Sequence, residues 1–339
     1  MNQQMLGIID ATAYEPSLDE LIRHRSLAAL PFGGRYRLID FMLSNFVNSN
    51  IHSVAVFPCN PTRSLLDHVG SGKQWDLDRK RHGLFLFPPS GKEEEFASKE
   101  FFQRHMEYLL RSTQKYVVVA NSHVVGTIDF RRVLQRHLEA GADITELCYE
   151  GELLGMYVIE RELLLHLFCA YEHAPADTLI TFIRTCQDNL RKHIYEVPGY
   201  LMKIDSLTGY YRHSMSLLRP EIWKQVFTKE YPIYTKAKDE PPTKYASDAK
   251  VQNAMIANGS IIEGNIDSSL LFRSVKVGKG TIIRNSIIMQ KSQIGDNCIL
   301  DGVIIDKDVK IEDGTIITGT KQYPYVIRKG TVQGALMKS

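Results

Sequence analysis

Between residues 277 and 317 the chain repeats itself at a fixed step. Val277-Gly-Lys-Gly-Thr-Ile-Ile, Ile294-Gly-Asp-Asn-Cys-Ile-Leu and Ile311-Glu-Asp-Gly-Thr-Ile-Ile start 17 residues apart. Within these copies aliphatics recur six apart: Leu271, Val277, Ile283 and Met289, then Ile294 and Leu300, then Ile305, Ile311 and Ile317. Gly, Asn and Asp fall at the turns between them. An aliphatic at every sixth residue is the signature of a parallel β-helix, whose three flat faces each send one side chain inward per coil. Such a coil holds about 18 residues, so the observed step is one coil with one residue deleted. An antiparallel meander would alternate with period 2 instead. Many left-handed β-helices are acyltransferases that use a histidine of the coil as general base. All 11 histidines here lie between His24 and His213, which leaves the tail without one. The tail therefore reads as a rigid stacking module suited to assembly.

The front of the chain has another rhythm. Met5 to Ile9, Ser53 to Phe57 and Tyr116 to Ala120 read as strands. Leu38 to Val47, Phe101 to Arg111 and Phe130 to Glu139 read as helices, with apolar residues three and four apart. Strands alternating with helices predict a Rossmann-like α/β domain with a parallel sheet, whose ligands sit beyond the carboxyl ends of the strands. Tyr231 to Pro242, with three prolines, reads as an extended linker. The predicted organisation is an α/β domain over residues 1–230, a linker over 231–250 and a left-handed β-helix over 251–339.

Several chemistries can be set aside. Lys plus Arg number 41 and Asp plus Glu 39, a balance that gives no basis for nucleic-acid binding. Five scattered cysteines without a C-x-x-C pair suit a reducing compartment. With no apolar leader and no apolar run near 18 residues, the sequence predicts a cytoplasmic protein. Gly70-Ser-Gly-Lys-Gln74 lacks the first glycine and the final Ser or Thr of a phosphate loop, because these positions hold Asp67 and Gln74. No His/Cys cluster has zinc spacing, and no base lies at motif distance from Ser26 or Ser44. His24, His68, His82, His105, His137 and His173 are expected to be ordinary, partly exposed residues. One stretch is better suited to chemistry. Pro31-Phe-Gly-Gly-Arg-Tyr-Arg37 places Arg35 and Arg37 beside a Gly-Gly turn and just before a helix, with Arg23, His24 and Arg25 close by. Backbone amides at a helix start plus guanidinium forks make a site for phosphate or sulfate. The alternative is that Arg35 and Arg37 only pair with carboxylates such as Asp40.

The block Phe32-Gly-Gly-Arg-Tyr-Arg-Leu-Ile-Asp-Phe-Met-Leu-Ser-Asn-Phe-Val-Asn-Ser49 closely resembles the F-G-G-[KR]-[FY]-R-[IL]-I-D-F-x-L-S-N-x-x-N-S block of ADP-glucose pyrophosphorylases, the glucose-1-phosphate adenylyltransferases. Gly70 to Asp78, Tyr116 to Ala120, Gly199 to Leu218 and Pro241 to Lys244 are similar to the same family. The resemblance covers nearly the whole chain. It implies a nucleotidyltransferase α/β domain followed by a left-handed β-helix, the plan already derived from the two rhythms.

The departures from the family pattern bear on activity. Active members carry G-G-x-G-[ST]-R-L after the first strand, where glycines let the backbone close on the nucleotide triphosphate. Here the stretch is Asp10-Ala-Thr-Ala-Tyr-Glu-Pro-Ser-Leu18, without glycine or arginine and with two acids facing a polyanion's place. The lysine of the family's K-P-A segment falls on Leu27. The first magnesium-binding Asp of the family falls on Ser122 and the second, aligned without gaps, on Lys203. Asp205, two residues on, is the remaining carboxylate. Thr145 to Gly155 replaces a stretch of roughly fifty residues in the family, including the lysine that binds the sugar phosphate. These departures resemble those of the GlgD-type, non-catalytic subunit.

The resemblance therefore implies a regulatory, catalytically inactive subunit in glycogen biosynthesis. It would need no cofactor of its own and would join a magnesium-dependent catalytic subunit in a heterotetramer. Arg35, where the family places an effector-sensing basic residue, with Arg37 and Arg25, would bind a sugar phosphate or anion. Two alternatives stay open. One is an active adenylyltransferase that uses Asp205 with Asp10 or Asp129. The other is a β-helix scaffold without nucleotide chemistry.

Overall fold

The computed structural model describes residues 4–79, 82–89, 105–170, 178–186 and 190–334. Its front half is built on a seven-stranded sheet. The strands used here are β1 (Met5–Ala11), β2 (Val54–Pro58), β3 (Leu84–Leu86), β4 (Tyr116–Asn121), β5 (Val124–Gly126), β6 (Ile144–Tyr149), β7 (Glu152–Glu160), β8 (Lys192–Glu196) and β9 (Leu201–Lys203). The main sheet runs in the order β8-β6-β7-β4-β1-β2-β3, and β5 pairs separately with β9. Of the helices, α1 (Leu38–Asn48), α2 (Arg63–Val69), α3 (Phe130–Glu139) and α4 (Leu207–Ser216) matter for the site. Of the helix expected over 101–111, residues 105–111 are described, and the helix among them is Glu107–Arg111.

The sheet is mixed rather than wholly parallel. Strand β7 runs antiparallel to both β4 and β6. The cause is the shortness of the Thr145–Gly155 segment. Tyr149 pairs with Glu152, and the two residues between them, Glu150 and Gly151, have φ of 50° and 78°. A two-residue turn with positive φ at both positions closes a β-hairpin, and only antiparallel strands can be joined that way. The short segment is thus a closed hairpin inside the main sheet.

Packing on β1 is tight at one position. A Cβ on Gly7 would lie 2.4 Å from Cε2 of Phe46, a fully buried ring of α1. Phe46 in turn packs edge-on against Phe130, centroids 5.3 Å apart, so it has little room to yield. Gly7→Ala is therefore expected to destabilise the chain by about 1–3 kcal/mol, read as a lower urea midpoint with unchanged slope.

The back half is a parallel β-helix of three sheets. Its coils begin at Lys244–Tyr245, which pair with Ile261 and Ile262. The first strand therefore lies inside the stretch expected to be linker. The rest of that stretch is extended but packed: Ile233 is buried, Pro232 O accepts from Nδ2 of Asn48 at 3.1 Å, and Tyr234 N donates to Oγ of Ser44 at 2.9 Å. The coil interior holds Leu271, Val277, Ile283, Ile288, Ile294, Leu300, Ile305 and Ile311. Met289 is not among them, contrary to the six-residue reading. The deleted residue falls at the third corner, which is turned at Asn285 and Gly302 with φ of 45° and 65°. The inward position after Ile283 is consequently Ile288, and Met289 faces out.

That outward face is covered by the front half. Leu270, Phe272, Ile287, Met289 and Ile304 form one core with Phe32, Phe41, Tyr210, Tyr211 and Leu217. The hydroxyl of Tyr211 on α4 donates to Asn285 O at 2.6 Å. Arg25 and Asp306, both almost fully buried, join the halves through two contacts of 2.8 Å. Among the described residues no helix is long and apolar enough to cross a membrane.

Candidate functional site

Two places were expected to carry chemistry, and the fold treats them differently. The first lies beyond the carboxyl ends of β1 and β4. Asp10 ends β1 buried, and its carboxylate accepts from N and Oγ1 of Thr12 at 3.2 and 2.5 Å and from Ile180 N at 3.3 Å. Burial raises its pKa, against those hydrogen bonds. Leu18, Leu21, Ile22 and Leu27 then turn into the core, so the segment after β1 is held by apolar packing rather than left as a phosphate cradle.

Ser122 and His123 follow β4. Both are buried, and neither Ser122 Oγ nor His123 Nδ1 has a hydrogen-bond partner. Burial, followed by the charge of Lys203, pushes the His123 imidazole down to about 4, so it is neutral at pH 7. Lys203, at the end of β9, lies opposite Val124 of β5. Asp205 is exposed just past the strand, and its charge, after burial, helps raise the pKa of Glu15. Asp129 caps α3, accepting from N and the guanidinium of Arg131 and from the Tyr231 hydroxyl. Asp10 and Asp129, the two partners considered for Asp205, are thus both held in hydrogen bonds. Among the described residues no three His, Cys, Asp or Glu come together in a metal-holding group. Mg²⁺ prefers octahedral oxygen ligands, carboxylates above all. A buried hydroxyl, a neutral imidazole and an ammonium do not fit it.

The second place is a cavity of about 120 Å³ between the two halves. The front half brings Arg35 and Arg37 to it. Gly33 and Gly34, with φ of 57° and 81°, turn the short Pro31–Phe32/Tyr36–Arg37 hairpin, a conformation that costs glycine little. Arg37 then enters α1, where Asp40 Oδ2 accepts from its backbone N at 3.0 Å. Its guanidinium donates to O and Oγ of Ser64 at 2.5 and 2.8 Å. Burial lowers the Arg37 pKa to about 10, which still leaves it charged. Arg35 is exposed, lies 4.9 Å above the Tyr36 ring and donates to its hydroxyl.

The other walls come from the extended stretch, Lys236 and Lys238, and from the coil corners, Arg273, Lys291 and Lys307. His68 of α2 also lines the cavity; it is buried rather than partly exposed, with Nε2 2.6 Å from Asp40 Oδ1. His137 is buried as well, against Thr145, and His173 lies outside the described residues. Among the described residues Asp308 is the one carboxylate lining the cavity. Seven Lys and Arg side chains around so small a space give it a strongly positive lining.

Of the three arginines expected there, Arg35 and Arg37 line the cavity and Arg25 does not. Arg25 is consumed by Asp306, because an arginine buried to that degree needs its charge matched at once. The residues that sequence reasoning missed carry a readable signal. Lys291 N donates to Arg273 O, and Asp308 N to Gln290 O, so Arg273–Ser274, Gln290–Lys291 and Lys307–Asp308 stack at one corner of successive coils. Writing the repeat in register, outward positions included, brings Arg273, Lys291 and Lys307 to the same edge.

Comparison with known proteins places these observations. Residues 18–152 match the Nucleotidyl transferase family, and residues 241–323 match the GlmU-like, C-terminal hexapeptide family. The chain is 50% identical to the "Glycogen biosynthesis protein GlgD" of Bacillus subtilis (strain 168), over 100% of this chain and 99% of that protein. It is 54% identical to the protein of the same name from Geobacillus stearothermophilus, over 99% of each. Against the "Glucose-1-phosphate adenylyltransferase" of Bacillus anthracis identity is 26%, over 96% of this chain and 97% of that protein.

Proposed function

The chain belongs to the GlgD family of glycogen biosynthesis proteins, related throughout its length to glucose-1-phosphate adenylyltransferases, and from that premise we propose that it is a catalytically silent regulatory subunit. It acts in the cytoplasm, joined in a heterotetramer to a subunit that makes ADP-glucose and pyrophosphate from ATP and glucose 1-phosphate. The magnesium ion belongs to that partner. The observation that carries this reading is the set Ser122, His123 and Lys203. Nucleotidyl transfer needs metal and cationic groups to hold the charge that develops on phosphate, and it needs carboxylates to hold the metal. A lysine ammonium repels the ion, and a lone imidazole supplies no oxygen ligand for Mg²⁺. The regulatory half of the proposal rests on the basic cavity, where Arg35 and Arg37 with the coil-corner lysines would receive a sugar phosphate or another compact polyanion.

Pyrophosphate release from ATP, glucose 1-phosphate and Mg²⁺ tests the proposal. The chain alone is expected at background. Mixed with a catalytic subunit, it is expected to change that subunit's rate or its response to phosphorylated effectors. Turnover by the chain alone at a rate comparable to active relatives, or a mixture indistinguishable from the catalytic subunit by itself, would overturn it.

A further inference from the structure

The main sheet of the front half ends at β8, and that edge is open. Among the described residues β8 pairs with β6 on one side and with nothing on the other. Arg191 O accepts from Ile144 N, and Val197 N donates to Cys148 O. The odd-numbered residues of this stretch therefore turn their backbone groups toward β6. Because a strand alternates, the N–H and C=O of Lys192, Ile194 and Glu196 point away from the sheet. Their side chains share one face and all three are exposed, Ile194 by 60%. His193 and Tyr195 take the other face and are half-buried, Tyr195 against the core to which α3 contributes Phe130 and Val133. An open edge of this kind is a template for another strand.

We propose that two copies of this chain join at β8, antiparallel about Ile194, into one continuous sheet around a twofold axis. The residue order Lys192-His-Ile-Tyr-Glu196 is its own complement in that arrangement. Lys192 lies opposite the partner's Glu196, Ile194 opposite the partner's Ile194, and His193 opposite the partner's Tyr195. The three outward residues all fall in hydrogen-bonded pairs, so every free N–H and C=O of both edges is satisfied. Lys192 has no carboxylate partner in its own chain among the described residues, whereas its neighbour Arg191 is held by Asp143 at 2.7 Å. Glu196 is fixed at the other end of the strand, where it accepts from Glu150 N at 2.6 Å and from Cys148 Sγ at 2.8 Å. Two residues further on, Pro198 has no N–H to give, which ends the ladder there. A parallel second strand would instead bring Lys192 beside Lys192 and Glu196 beside Glu196, and it could not close around a twofold axis. Two copies join in this way with or without a catalytic subunit present.

Sedimentation velocity on the full chain by itself, at concentrations up to about 100 μM, tests the pairing. The wild type is expected to sediment as a dimer. Ile194→Pro is expected to be monomeric with an unchanged dichroism spectrum, because the N–H it removes faces outward and is not used by β6. Lys192→Glu sets like charges against each other at both ends of the ladder and is expected to weaken the dimer by about tenfold. Glu196→Lys is expected to do the same. Mixed together, these two variants are expected to dimerise with each other, since each offers the charge that the other lacks. A monomeric wild type, or a dimer that persists in a folded Ile194→Pro, would overturn the proposal. Charge variants that fail to recombine on mixing would overturn the antiparallel register, an outcome that does not depend on whether the proline variant folds.

Discussion

Asp306→Ala is expected to lower the free energy of unfolding by about 3–5 kcal/mol, measured by urea denaturation at pH 7. Asp306 and Arg25 are 1% and 2% exposed and meet through two contacts of 2.8 Å. Removing the carboxylate leaves a guanidinium buried beside Met289 Sδ with no anion to match it. It also strips an acceptor from Lys307 N. The loss belongs to the orphaned charge rather than to the pair itself. Replacing both partners with apolar groups, as in Arg25→Met with Asp306→Leu, is accordingly expected to recover most of the stability. A double variant as unstable as the single one would mean that the pair is worth its own energy here.

Phe272→Ala is expected to cost a similar amount, about 3–5 kcal/mol, for an apolar reason. Phe272 is 1% exposed and lies on the coil face that shares a core with Phe32, Phe41 and Tyr210 of the front half. A cavity there cannot collapse easily, because one wall is a regular stack of coils. The same shared core predicts that both halves unfold together. The chain's two tryptophans, Trp75 and Trp223, both lie in the front half, whereas circular dichroism sees the coils as well. The two signals are expected to trace one urea transition in the wild type. Fluorescence and dichroism transitions that separate would show that the halves are energetically independent.

Much of the fold was legible because the relevant signals are local. The six-residue spacing announces the coil, since each flat face buries one aliphatic whatever its neighbours are. The helix Leu38–Asn48 and the strands around it follow from spacing of the same kind. Lys203 and Ser122 stood out because they fall where the resembling family places its metal-binding acids. What local spacing could not supply is the direction in which a side chain is used. Met289 and Ile288 are adjacent and both apolar. Only the left-handed residue Asn285 at the corner before them turns Ile288 inward and Met289 toward the front half.

The basic cavity divides along the same line. The order of residues along the chain was enough to put Arg35 and Arg37 together beside a Gly-Gly turn and before a helix. It also determined the β-helix and the α/β half. The tertiary structure decided the rest. Arg25 follows His24 directly in a short basic run, yet the fold turns it inward to Asp306 and away from the cavity. Lys236, Lys238, Arg273, Lys291 and Lys307 are scattered along the chain and share one cavity. Charge acts through space at distances of a few ångströms, and a chain that folds back on itself sets those distances by packing rather than by order along the sequence.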